Sequence, residues 1–137
     1  MVKKSLLSAI VFLSVILGFN ANAKEKNEIP VYIQSSTSGP VSSFENRVVG
    51  VINNHSSFSV LSERVYDRPI LVITTSGLHA GQAGITALSV TFSVWIPGDE
   101  FTRFINTETF LCSPNQYGRC ARNVEGSLSH AKGIFGH

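Results

Sequence analysis

Little of this chain is charged, and what charge there is nearly cancels. Asp, Glu, Lys and Arg make up 15% of its 137 residues, eleven basic against nine acidic. Two of the eleven, Lys3 and Lys4, lie in an N-terminal segment that reads as a removable leader, and without them the counts are nine and nine. With no basic surplus and no basic cluster along the sequence, the electrostatic footprint of a nucleic-acid binder is missing, and no nucleic-acid partner is expected. Cysteine is equally scarce: Cys112 and Cys120 are the only two. Neither follows the leader, so the attachment residue of a bacterial lipid anchor is absent there. No apolar run reaches the roughly 20 residues needed to span a bilayer. Low-complexity stretches and internal repeats are missing too.

The leader itself is well formed. Met1 to Lys4 is basic, the 15 residues from Ser5 to Phe19 are almost continuously apolar, and Asn20-Ala21-Asn22-Ala23 ends in a small-x-small step. That is the order a secretory signal peptide requires. The competing reading, a transmembrane or buried helix, is short of a span, and the mixed charges of Lys24 to Glu28 do not form a stop-transfer flank. Residues 1–23 are therefore expected to be cleaved after Ala23. Residues 24–137 are expected to form one small domain, periplasmic or secreted, with no membrane anchor. In an oxidising compartment two nearby cysteines read as a disulfide, Cys112 to Cys120, rather than as two free buried thiols.

Hydrophobic periodicity then orders the elements. Ile29 to Gln34 (IPVYIQ) is a short β-branched strand, followed by a Ser/Thr/Gly/Pro loop to Pro40. Val41, Phe44, Val48, Val51 and Ile52 recur at helical steps, with Ser42 and Glu45 as a capping box and Gly50 as a point of close packing on a sheet. Phe58 to Ser62 is a second strand. Pro69 to Thr75 is a third, with no polar face and hence covered on both sides. Ser76 to Gly84, with Gly77, Gly81 and Gly84, reads as a flexible loop. Ile85 to Ile96 alternates cleanly as a long strand with one buried face, and Pro97-Gly98-Asp99-Glu100 turns it back. Phe101 to Leu111 returns antiparallel, with aromatics on both faces that predict partial cover on each. A loop from Cys112 to Cys120 precedes a helical stripe at Ala121, Val124, Leu128, Ala131 and Phe135, stopped by Gly136. The order β-α-β-β-β-β-α predicts an α+β two-layer sandwich: a mixed or antiparallel sheet of about five strands carrying two helices.

The segments IPVYIQ, SSFENRVVGVINN, FSVLSE, TALSVTFSVW and FINTETFLC resemble a group of small exported bacterial proteins. These share the strand-helix-strand pattern of the N-terminal domain of the periplasmic translocation protein TolB. The resemblance covers most of residues 24–137 and is one of pattern. It implies the topology and a periplasmic address, and it brings no active site with it.

Tested for chemistry, the chain offers few constellations. His55, His79, His130 and His137 have no i,i+4 pair and no cysteine neighbour, so metal-ligand spacing is absent. His130 and His137 read as solvated residues of a fraying end. No serine sits in a G-x-S-x-G elbow, and Asp99-Glu100 reads as a solvated hairpin tip, not a catalytic pair. The glycine-rich stretch lacks the Gly-Lys-Ser/Thr ending of a phosphate loop. No enzyme activity, metal or cofactor is expected. Two segments are candidates for partner binding. One is the disulfide loop, with Asn115, Gln116, Tyr117 and Arg119 on a pinned segment that loses little entropy on binding, although a plain structural staple with a solvated tip is the favoured reading of it. The other is the glycine-rich stretch, with His79 and Gln82. The expected function is a small protein-binding module of the cell envelope, its partner another envelope protein. The alternative is an exported inhibitor or immunity-type protein whose pinned loop enters the cleft of a cell-wall hydrolase or toxin.

Overall fold

The computed structural model describes residues 27–36, 41–80 and 85–136. The expected leader and its cleavage site, the end of the expected loop before Val41, Gln82 and His137 lie outside the described residues. Five strands form one mixed sheet in the order β2-β1-β3-β4-β5. They are β1 (Ile29–Ser35), β2 (Phe58–Val60), β3 (Ile70–Ala80), β4 (Ile85–Trp95) and β5 (Arg103–Cys112). Among the described residues three α-helices accompany them: α1 (Val41–Asn53), α2 (Tyr117–Arg122) and α3 (Glu125–Ile134). Strand β1 runs parallel to β2 and to β3, while β3, β4 and β5 form an antiparallel meander. The parallel β1–β2 pair requires a crossover, and α1 supplies it. This is the predicted α+β architecture, with the terminal helix broken into two pieces around Asn123 and Val124.

The helices cover one face of the sheet. Phe44, Val48 and Ile52 of α1 are fully buried against Val31, Leu71 and Ile73. From β4 the same core takes Leu88, Val90 and Phe92, and from the C-terminal helices Tyr117, Ala121, Val124, Leu128 and Ala131. The last five are spaced four, three, four and three residues apart, so one continuous stripe runs through α2 into α3. The stripe begins at Tyr117, inside the disulfide loop. The segment expected to be irregular there is accordingly a turn of 3-10 helix at Pro114–Gln116 followed by α2.

The opposite face is covered at one end only. Ile70, Val72 and Trp95 form a smaller buried cluster, joined by Tyr32, Leu61 and Val65. The Tyr66 ring meets Trp95 edge-on at 5.3 Å, and the Arg64 guanidinium lies over both rings, 5.3 Å from Tyr66 and 5.8 Å from Trp95. In the same connection Arg68 donates to the Asp67 carboxylate and holds its pKa below the ordinary value. Further along, this face is polar: Gln34 donates to Thr74 at 3.0 Å, and Thr91 and Thr107 bond at 3.0 Å. Strand β3 is therefore covered on both faces over Ile70 to Ile73, as its unbroken apolar run predicts, and changes character after it.

Four local expectations are corrected. Residues 76–80 are strand and not the expected glycine-rich loop: β3 continues to Ala80, paired with Ile85, and positions 81–84 lie outside the described residues. Pairing with β4 holds Gly77 extended, where intrinsic preference alone favours a turn. Ser42 is the second residue of α1 and cannot act as its cap. Glu45 turns the other way and accepts hydrogen bonds from Ser35 Oγ and Thr75 Oγ1, the latter at 2.9 Å. Gly50 does not mark close packing on the sheet: it is exposed, and a Cβ added to it meets no atom within 4 Å. Finally, β5 is not covered on both faces. A register shift opposite Phe92 and Ser93 leaves Ile105 unpaired and turns Phe104 outward. Phe104 and Leu111 are then 69% and 74% exposed on the face away from the helices. A bulge of this kind exchanges the two faces of a strand, which is why the alternation of FTRFINTETFL looks imperfect.

Candidate functional site

Where α1 and α2 lie side by side, their outward faces enclose a groove of about 640 Å3. Its α1 wall carries Asn46, Arg47, Gly50 and Asn54; facing them are Asn115, Gly118, Arg119 and Arg122. The helical period explains the arrangement. With Phe44, Val48 and Ile52 directed into the core, positions 46, 47, 50 and 54 fall on the adjoining, solvated side of α1. In α2, Tyr117 and Ala121 point inward, so Arg119 and Arg122, three residues apart, share the outer side.

The α2 wall is fixed at two points. Cys112 and Cys120 form a disulfide with their Cα atoms 6.7 Å apart, tying the end of β5 to α2. Tyr117 is buried, its hydroxyl 3.0 Å from Thr86 Oγ1 on β4 and its ring edge-on to Phe44 of α1 at 5.9 Å. The α1 wall is fixed to β1 and β3 through Glu45, as described above. A second carboxylate ties α3 to β5: Ser127 Oγ donates to Glu108 Oε1 at 2.6 Å, and Asn106 Nδ2 donates to Ser127 Oγ at 2.9 Å.

Electrostatically the groove is one-signed. Arg47, Arg119 and Arg122 are all exposed, and no Asp or Glu lines it. Among the described residues the ion pairs are Arg68 with Asp67 and Arg103 with Asp99, so none of the three groove arginines is neutralised by a carboxylate. Three planar guanidinium groups and three carboxamides thus face a solvent-filled cleft. That donor set suits oxyanions, above all carboxylates and phosphates met by bidentate pairs.

The residues singled out from sequence fare unevenly. Asn115 and Arg119 line the groove. Gln116 is exposed beside it, its Oε1 accepting a hydrogen bond from Ser113 Oγ at 3.2 Å. Tyr117 is corrected from a surface contact to a core residue, because the helical stripe carries it inward. His79 is placed by backbone register opposite Thr86 in the long hairpin, on a strand that contributes nothing to the groove lining. Arg47, Arg122, Asn46 and Asn54 were missed. Their signal lies in the helical wheel of α1 and in the start of the C-terminal stripe at Tyr117, which together set which side of each helix is left for solvent.

Other concavities lie among the described residues. One, about 400 Å3, lies on the open sheet face against Ser36, Ser76, Ala87, Ser89 and Thr109. Another, about 450 Å3, is an apolar trough between β5 and the end of α3, bordered by Phe104, Ile105, Ile134 and Phe135. No helix among the described residues is long and apolar enough to cross a membrane.

No family model matches the chain, and no curated protein sequence matches it. Distant structural likenesses exist. A PelC dodecamer from Paraburkholderia phytofirmans, a point variant, is 13% identical with a TM-score of 0.45, the match covering 72% of this chain and 82% of that one. A minor lipoprotein from Acinetobacter baumannii is 10% identical with a TM-score of 0.39, covering 75% and 94%. The rare lipoprotein B from Shewanella oneidensis is 17% identical with a TM-score of 0.36, covering 79% and 99%.

Proposed function

We propose that this chain is a small exported binding module of the bacterial cell envelope, and that it receives a protein partner in the groove between α1 and α2. The observation that carries the reading is the set of three exposed arginines, drawn from two helices and without a carboxylate partner among the described residues. Like charges brought together cost free energy in the isolated protein, so such a set is best explained by a ligand that neutralises it. The leader at residues 1–23 and the pattern resemblance to TolB's N-terminal domain support the envelope address. In this reading the protein binds and does not catalyse.

The inhibitor alternative needs a projecting loop that enters a target's cleft. The segment between Cys112 and Cys120 is instead helical, with Tyr117 turned into the core, and the surface beside it is concave. A concave surface favours receiving a partner over being inserted into one.

The test is capture from the host's own envelope, using the protein expressed with its leader and a C-terminal tag. The wild type is expected to retain a specific protein partner that Arg47→Glu with Arg119→Glu releases. A partner retained equally by that variant, at unchanged fold, overturns the groove as the binding surface.

A further inference from the structure

We infer that the groove takes a carboxylate-rich stretch of polypeptide, an Asp/Glu-bearing segment of the partner lying along α1 and α2. This deepens the binding-module reading and rests on it. Three features of the lining point to this chemistry. Arg47 stands on one wall and Arg119 and Arg122 on the other, so positive charge faces the cleft from both sides. Three guanidinium groups can each take an anionic group bidentately, and several carboxylates on one chain supply them. Asn46, Asn54 and Asn115 are interspersed with the arginines, and a carboxamide offers both a donor and an acceptor. That is the complement of a peptide backbone, which presents one N–H and one C=O per residue.

Next, both walls carry a glycine. A Cβ built on Gly50 or Gly118 meets nothing within 4 Å, so each wall leaves room for a chain to approach its helix backbone. The groove's volume of about 640 Å3 is that of a ligand site, enough for a few residues.

The third feature separates a peptide from an anionic membrane. A protein that docks on lipid brings apolar side chains to the same surface as its basic ones. Here the exposed large apolar residues Phe104 and Leu111 project from the sheet face opposite the helices, and Phe101 and Ile134 are likewise not part of the groove. Within the groove the apolar contribution is limited to Val51 and Pro114. The exposed large apolar residues all lie outside the charged groove.

The experiment is a titration of the 15N-labelled processed protein, followed by backbone amide shifts. The probe is a capped octapeptide alternating Glu and Gly, and its Gln-for-Glu counterpart is the control. Saturable shifts are expected at Arg47, Gly50, Gly118, Arg119 and Arg122 with the Glu peptide and not with the Gln peptide. Exposed ion pairs contribute modestly, so each Arg→Gln change should weaken binding by up to about fivefold. The triple variant R47Q/R119Q/R122Q should lose it entirely at an unchanged urea midpoint. Binding should also fall as salt is raised from about 50 to about 200 mM.

Equal shifts with the Gln peptide, or shifts elsewhere on the surface, overturn the inference. So does stronger saturation of the same amides by inorganic phosphate, or retention on phosphatidylglycerol vesicles by a protein that ignores the Glu peptide. Failure here, with an envelope partner still released by the arginine variants, removes only the carboxylate assignment. A partner retained by those variants removes the groove reading itself.

Discussion

Replacing Tyr117 by phenylalanine takes away one oxygen atom, 3.0 Å from the Thr86 hydroxyl. Thr86 is fully buried, so its Oγ1 cannot turn to water for a substitute. A net protein hydrogen bond is worth about 1 kcal/mol, and stranding a buried polar partner raises the cost toward about 2 kcal/mol. For a domain of this size the urea dependence of stability is about 1–2 kcal/mol per molar, so the unfolding midpoint should fall by about 1 M. Thr86→Val together with Tyr117→Phe leaves neither hydroxyl stranded and should recover most of the loss, a coupling of about 1 kcal/mol in the double-mutant cycle. Tyr117→Ala is a different perturbation. It empties the space against Phe44 and should cost about 3–5 kcal/mol, a large part of the roughly 5–15 kcal/mol that holds a typical domain folded. Partner capture by the Tyr117→Phe variant should match wild type, because the ring and the backbone of α2 stay in place. A variant that loses its partner while its urea midpoint is unchanged would show that the hydroxyl faces the partner, and the packing argument would be wrong.

Reducing the Cys112–Cys120 disulfide, with a sequence separation of 8, should lower stability by about 2.5 kcal/mol in the loop-entropy model, read as a urea midpoint shift on adding dithiothreitol. Glu45→Ala removes the acceptor shared by the Ser35 and Thr75 hydroxyls, leaving the buried Thr75 Oγ1 only its 3.3 Å contact with Ser35 Oγ, and should cost about 1 kcal/mol, whereas Glu45→Gln, which keeps an acceptor oxygen, should cost less; both are read from the urea midpoint. Gly50→Ala should stabilise α1 by about 0.5–1 kcal/mol, since the position is helical, exposed and sterically open; a loss of stability there would contradict the placement of Gly50 on the groove side.

What the sequence discloses follows from where a single physical term dominates. Strand β4 is legible because Leu88, Val90, Phe92 and Val94 are all buried and nothing interrupts the period. Helix α1 and the stripe from Ala121 to Phe135 are legible for the same reason. Gly77 misleads because its turn preference is local and the pairing that overrides it lies eleven positions along the chain, at Leu88. Phe104 misleads because one unpaired residue, Ile105, inverts the face of everything before it. Tyr117 reads as a recognition residue when the disulfide loop is taken as irregular. It becomes a core residue once the stripe is extended by one more step of four. The arginine groove is hidden for a different reason. Net charge sums over the chain and runs of charge are sought along it, while Arg47 and Arg119 meet only through the packing of two helices. A balanced total is compatible with a one-signed surface.

The groove's width is set by the sheet and by the packing of Tyr117 on Phe44 beneath it. Ser35, Thr75, Val90 and Glu108 pair side by side across four strands, forming one row on the helix-covered face. Glu45 reaches down from α1 to the Ser35 and Thr75 end of that row, and Glu108 at the other end holds Ser127 of α3. Helix α2 is anchored separately, by the disulfide from Cys112 and by Tyr117 on Thr86, and Cys112 and Thr86 are themselves cross-strand partners. Each wall is thus attached to the rigid layer beneath it. Repulsion between Arg47 and the α2 arginines, of order ~1 kcal/mol or less through water, acts against these ties and cannot open the cleft by separating the helices. The charges are held near one another before any ligand arrives, so a binding partner does not have to assemble them.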